Sequence, residues 1–171
     1  MKQYFESVTG VSIVLCSVAF LAFSIVDDPS FLSRASQANL AEIEAGKLAA
    51  YKGTSAVVKK YGQKMVADHT TAQAELVALA KKENTTIPKE PDPEHQALKE
   101  QLASLSGNAF DSAYIKSQLT DHQAAVSLFT EELTTGTDPD AIAYAKKYLP
   151  RLKMHLNMIQ KADSATAQPA R

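Results

Sequence analysis

The sequence has no tryptophan and a single cysteine, Cys16. One cysteine excludes an intrachain disulfide and any zinc site built on thiolates. Glycine is scarce, at six residues, and no glycine-rich phosphate loop is present. Neither sign of charge is in excess. Eighteen Lys and Arg face nineteen Asp and Glu over 171 residues, a net charge of −1. That balance excludes the basic surface on which nucleic-acid binding depends. There is no nucleophile motif and no Ser-His-Asp order, so nothing in the sequence favours an enzyme. What is present is ordinary globular composition, 45% apolar and 22% charged, in a length that suits one domain.

The one long apolar run is Val11 to Val26, preceded by Lys2 and closed by Asp27-Asp28. A basic start followed by a short uncharged run reads as a secretory signal, and Ala22-Phe23-Ser24 offers a cleavage site before Ile25. This predicts a signal segment at 1–24 and an exported domain, in the periplasm or cell envelope. The rival is an uncleaved anchor, the one way this chain would engage a membrane. A full span takes about 20 residues, and Glu6 weakens the basic start. Cys16 follows Leu15 deep in the run, which does not fit a lipidation site.

Beyond residue 30 no period-2 alternation appears, and apolar residues recur at helical spacing. The pattern predicts helices over about 29–52, 54–84, 94–105, 108–134 and 138–163. Gly53 and Gly136 end two of them, and Asp138-Pro139 starts the last in the favoured arrangement. Three prolines, Pro88, Pro91 and Pro93, mark one long linker. Two tight turns and one long connection suit an all-α, ferritin-like four-helix bundle over 30–163, with a flexible tail at 164–171. Pro150 is expected to bend the last helix. Lys59-Lys60-Tyr61 recurs as Lys146-Lys147-Tyr148, a weak echo between two hairpins.

Several polar residues fall on the inward faces at 100° per residue. Asp111, Gln118, His122 and Phe129 form one line down a single helix. Asp68 and His69 straddle the stripe of another, Asn39 and Glu42 lie on the first helix, and His155 on the last. Buried polar groups are costly unless paired. Two readings follow. One is an internal network in which Asp111 and His122 each take a partner from another helix, with His69, Asn39 and His155 as candidates. The other is a divalent transition-metal site built from His122, His69, His155, Glu42 and Asp111. Val66, Leu119 and Leu152 stand three residues before the histidines, so the Glu-x-x-His pairs of di-iron bundles are absent. His95, in Asp92-Pro93-Glu94-His95, is expected to face solvent, as are Lys59-Lys60 and Lys81-Lys82.

Four blocks then stand out: Ala41-Glu42-Ile43-Glu44-Ala45-Gly46-Lys47, Met65-Val66-Ala67-Asp68-His69-Thr70, Phe110-Asp111-Ser112-Ala113-Tyr114 leading to Asp121-His122, and Leu149-Pro150-Arg151-Leu152 with His155. Together they resemble a bacterial exported helical family, domain of unknown function 4142, whose members often carry an outer-membrane label. The resemblance implies a ferritin-like helical domain behind a signal sequence and brings no established activity, cofactor or partner. It suggests that Glu42, Asp68, His69, Asp111, Tyr114, Asp121, His122, Pro150 and His155 sit at motif positions. The first functional expectation is a non-enzymatic exported module with a binding or stress-related role. The alternatives are a metal-binding or redox protein using the inward residues, and a membrane-anchored structural domain. The oligomeric state stays open, a homo-oligomer included.

Overall fold

The computed structural model describes residues 30–166. Among the described residues there are five α-helices and no strand: α1 (Phe31–Lys52), α2 (Ala56–Lys82), α3 (Pro93–Ser104), α4 (Gly107–Thr135) and α5 (Pro139–Thr166). The apolar run and the expected cleavage site lie outside the described residues. So does the end of the tail; α5 extends to Thr166, so the expected tail begins as helix. The same helix continues through Pro150.

The helix starts follow local chemistry. Ser30, Ser55 and Asp92 accept from the backbone N–H three residues on, at 3.3, 3.2 and 3.1 Å. Asp138 accepts from Asp140 N–H at 2.9 Å, with Pro139 in the first turn. These side chains satisfy donors that a helix N-terminus leaves open. Gly53 ends α1 with φ −50°, so no left-handed conformation requires glycine there. Space does: a Cβ would sit 2.6 Å from the Ala49 carbonyl oxygen and 2.9 Å from Val58.

α1 pairs with α2 and α4 with α5, each pair an antiparallel hairpin. α1 also meets α4, α2 meets α5, and α3 lies across α1 and α4. The first hairpin closes tightly at Gly46 and Gly62. A Cβ on Gly46 would meet the Gly62 carbonyl oxygen at 2.8 Å, and one on Gly62 the Gly46 carbonyl oxygen at 2.7 Å. Backbone meets backbone here, and no side chain fits between.

The apolar core comes in two parts. One joins Leu32, Ala72, Leu76, Phe129, Tyr144 and Leu149. The other joins Ala49, Val58, Tyr61, Met65, Phe110, Tyr114 and Ile159. Every long helix contributes to both, and on every long helix a polar residue separates the two contributions. Asn39 and Glu42 do so on α1, His69 on α2, His122 on α4 and His155 on α5, all buried. The result is a polar layer at mid-height between two greasy ends. No described helix is long and apolar enough to cross a membrane.

Candidate metal centre

The polar layer is built around three imidazoles. His69, His122 and His155 are 5%, 1% and 1% exposed. Their ring centroids lie 5.8 Å (His69–His122), 5.5 Å (His69–His155) and 5.4 Å (His122–His155) apart. Each offers a ring nitrogen within 4.8 Å of one from each of the others. They come from three different helices, one each.

The neighbours fix which nitrogen of each ring carries hydrogen. His122 Nδ1 lies 3.0 Å from the Gln118 carbonyl oxygen. A carbonyl only accepts, so Nδ1–H donates and Nε2 keeps a lone pair. His155 Nε2 lies 2.7 Å from Asp68 Oδ2, so Nε2–H donates to the carboxylate and Nδ1 keeps a lone pair. For His69 a longer chain decides. Ser36 Oγ–H donates to the Pro88 carbonyl (2.8 Å), and Gln73 Nε2–H donates to Ser36 Oγ (2.8 Å). Asn39 Nδ2–H donates to Gln73 Oε1 (3.3 Å) and to Tyr144 Oη (3.1 Å), whose own hydroxyl donates to the Ala72 carbonyl (3.1 Å). The Asn39 amide is thereby oriented with Oδ1 as acceptor, and His69 Nδ1–H donates to it at 2.9 Å. His69 Nε2 keeps its lone pair.

The nitrogens left over are His69 Nε2, His122 Nε2 and His155 Nδ1. All three are buried without a hydrogen-bond partner among the described residues. Orphaned buried polar atoms are rare and call for a reason. Ligating histidines characteristically donate their other N–H to a carbonyl or carboxylate, which fixes the tautomer, and all three rings do so.

Electrostatics keeps the rings neutral. Burial pushes His69 well below its ordinary value, with His122 and His155 adding repulsion. Burial, then His155, lowers His122 to about 3. Burial also lowers His155, and the Asp68 carboxylate opposes this without reversing it. Burial on its own would raise Asp68, but hydrogen bonds from Lys64 and His155 outweigh it and hold the carboxylate below its usual value. Asp68 also takes Arg151 at 3.3 Å. Neutral imidazole is the form a metal ligand requires.

A profile for a domain of unknown function, DUF4142, matches residues 22–162. The chain belongs to the DUF4142 family. Among curated proteins none matches the sequence significantly. A crystal structure of a DUF305 fragment from Deinococcus radiodurans shares the helical fold, with a TM-score of 0.70 at 12% identity, covering 79% of this chain and 93% of that one.

Of the residues expected at a site in this DUF4142 chain, the fold brings His69, His122 and His155 together and leaves two apart. Glu42 Oε1 lies 3.5 Å from His122 Nδ1, the nitrogen engaged with Gln118 rather than the free one. Burial, then the Asp121 charge, lifts Glu42 to about 8. Asp111 is not in the layer at all. Its two oxygens accept from the backbone N–H groups of Thr54 (2.9 Å) and Ser55 (2.8 Å), at the turn that begins α2. The side-chain partner expected for Asp111 on another helix is therefore replaced by backbone. The partner expected for His122 is likewise the Gln118 carbonyl of its own helix. His95 is not solvent-facing as expected: it is only a quarter exposed, 2.5 Å from Asp92 and 3.7 Å from Asp121. Asp121 and Asp92 lift it to about 9 against the cost of its burial. Lys59, Lys60, Lys81 and Lys82 are exposed.

Proposed function

We propose that this protein binds a divalent transition metal through His69, His122 and His155 in the mid-layer of a ferritin-like bundle formed by its four long helices. The observation that carries the reading is the set of three orphaned ring nitrogens, on rings that each bring a nitrogen within 4.8 Å of the other two and whose other nitrogen is tied to an acceptor. Three lone pairs cannot bond one another, so each calls for a proton donor or a cation. An all-nitrogen donor set suits zinc, copper, nickel or iron, and disfavours calcium and magnesium, which take oxygen. A void of about 10 Å³ lies against His69 and His155, in a wall shared with Asn39 and Tyr144.

Export to the periplasm or envelope fits the apolar run at 11–26, and the reading of the module as a binding protein rather than an enzyme rests on the lack of any nucleophile arrangement. Thermal melting with zinc, copper(II), nickel or iron(II) against chelator, for wild type and His122→Ala, tests the metal site. A ligand that binds only the folded state raises Tm with concentration. A rise in wild type that vanishes in His122→Ala is expected. No rise with any of the four metals refutes the site.

A further inference from the structure

The three rings are backed by three different kinds of acceptor. His122 donates to a backbone carbonyl, that of Gln118. His69 donates to the side-chain amide of Asn39. His155 donates to the carboxylate of Asp68. The first two acceptors are neutral and the third is an anion. Two cations stand on that anion, Lys64 at 3.0 Å from Oδ2 and Arg151 at 3.3 Å from Oδ1.

The position of Asp68 follows from the helix. Neighbouring residues on α2 point 100° apart, so His69 turns into the mid-layer while Asp68 turns to α5 and meets His155 there. One helix thus supplies a ring of its own and the backing of a ring on another. The Asp68 side chain is 15% exposed and His155 is 1% exposed, so the charge sits at the edge of the layer and reaches its centre through one imidazole. A carboxylate behind a ligating imidazole raises the basicity of that ligand. Its Coulomb attraction also grows with the charge of the ion beyond the ring, and burial weakens the screening.

Glu42 is the other acid of the layer, and it keeps one oxygen buried without a partner. Its second oxygen lies 3.5 Å from His122 Nδ1, a nitrogen already engaged by Gln118 at 3.0 Å. Glu42 therefore backs no ring in the way that Asp68 backs His155.

Resting on the metal reading above, we propose that Asp68 sets the charge of ion that the centre prefers. Acting through His155, and touching no ion itself, it favours a doubly charged ion over a singly charged one.

Copper tests this, because one element supplies both charges and the Cu(II)/Cu(I) midpoint potential reads the ratio of the two affinities. Voltammetry of the copper-loaded protein compares wild type with Asp68→Asn, which keeps an oxygen to accept from His155 and loses the charge. The midpoint is expected to rise by at least about 59 mV, the equivalent of a tenfold loss of preference for Cu(II). Glu42→Gln is expected to move the ratio less than about twofold on the same scale. A role in placing the ring and nothing more would weaken both copper states alike, so an unchanged midpoint in Asp68→Asn overturns the proposal. A shift in Glu42→Gln as large as that in Asp68→Asn overturns it as well. Should Asp68→Asn melt early, the smaller neutral variant Asp68→Ser makes the same test. Copper(II) heads the affinity order at nitrogen sites. A wild type that takes up none, or that holds it equally well after His122→Ala, removes the metal reading itself, before any potential is measured.

Discussion

Asn39 does more for the mid-layer than its burial suggests. Its amide is read by two backbone carbonyls at the ends of separate hydrogen-bond chains, Pro88 through Ser36 and Gln73, and Ala72 through Tyr144. Both chains point the same way, so Oδ1 has only one role, to accept from His69. Replacing Asn39 with Leu keeps the approximate volume and removes that acceptor. His69 is then free to rotate or to exchange tautomers, and the free lone pair is no longer held toward the other rings. Loss of such an outer partner typically weakens metal affinity about 10–100-fold. The same loss is expected for Asn39→Leu in a competition titration against a chromophoric chelator. An unchanged affinity would mean that packing alone sets the ring. Glu42 is the contrasting residue. It is as buried as Asn39, 5% against 4%, yet it stands on the side of His122 that the carbonyl of Gln118 already occupies.

At the scale of elements, Asp111 ties α4 to the start of α2. Two backbone donors that the turn leaves open both end on its carboxylate, which also places negative charge at a helix N-terminus, where it is favoured. Asp111→Ala strands both donors in a site that is 7% exposed. A loss of about 2–4 kcal/mol is expected by urea unfolding, with metal stoichiometry retained. A loss below about 0.5 kcal/mol would show that water satisfies the turn. This role was out of reach of the sequence for a definite reason. Helical phase says that Asp111 points inward, but not which part of α1 or α2 stands opposite. Phase sufficed for what depends on one helix at a time: the turns at Gly53 and Gly136, the Asp138-Pro139 start, and the inward direction of all three histidines. It did not reveal that the histidines share one height, because the site takes one ligand from each of three helices and so has no local spacing to recognise. A usable signal existed. His69 and His122 stand near the midpoints of α2 and α4, and His155 interrupts the apolar stripe of α5 between Leu152 and Ile159. His95 is held by Asp92, three residues earlier, and by Asp121 on α4, and the second partner, far along the chain, leaves no local pattern.

For the whole molecule, the buried titratable groups set opposing slopes of stability against pH. His69, His122 and His155 are held neutral in the fold, while an unfolded imidazole takes a proton near pH 6.5. Below that pH the unfolded chain binds more protons, so stability falls as the solution is acidified, and the His122 contribution continues down to about pH 3. Glu42 and His95 act in the other sense. The folded protein keeps their protons up to about pH 8 and about pH 9, whereas unfolded they lose them near their ordinary values of 4.5 and 6.5. Their contribution is complete at low pH and is lost as the pH rises through those folded values. Between 4.5 and 6.5 Glu42 opposes the three histidines, and Glu83 and Glu132, raised above 4.5 chiefly by burial, add to it more weakly because they are more open to solvent. Asp68 and Asp92, held below their usual value of 3.8, matter only in stronger acid. The metal-free protein should therefore melt highest near pH 6.5 and lower on both sides. Glu42→Gln removes one source of the alkaline decline and should flatten the fall between 6.5 and 8, and it should steepen the acid limb between 4.5 and 6.5, where Glu42 no longer opposes the histidines. A bound metal raises stability without changing these slopes until the pH falls to the lowered folded values of the three histidines, where protons begin to compete for the same nitrogens. A melting temperature that rises steadily from pH 5 to pH 9 in the presence of chelator would contradict the assignment of Glu42 as protonated and of His95 as charged in the native fold.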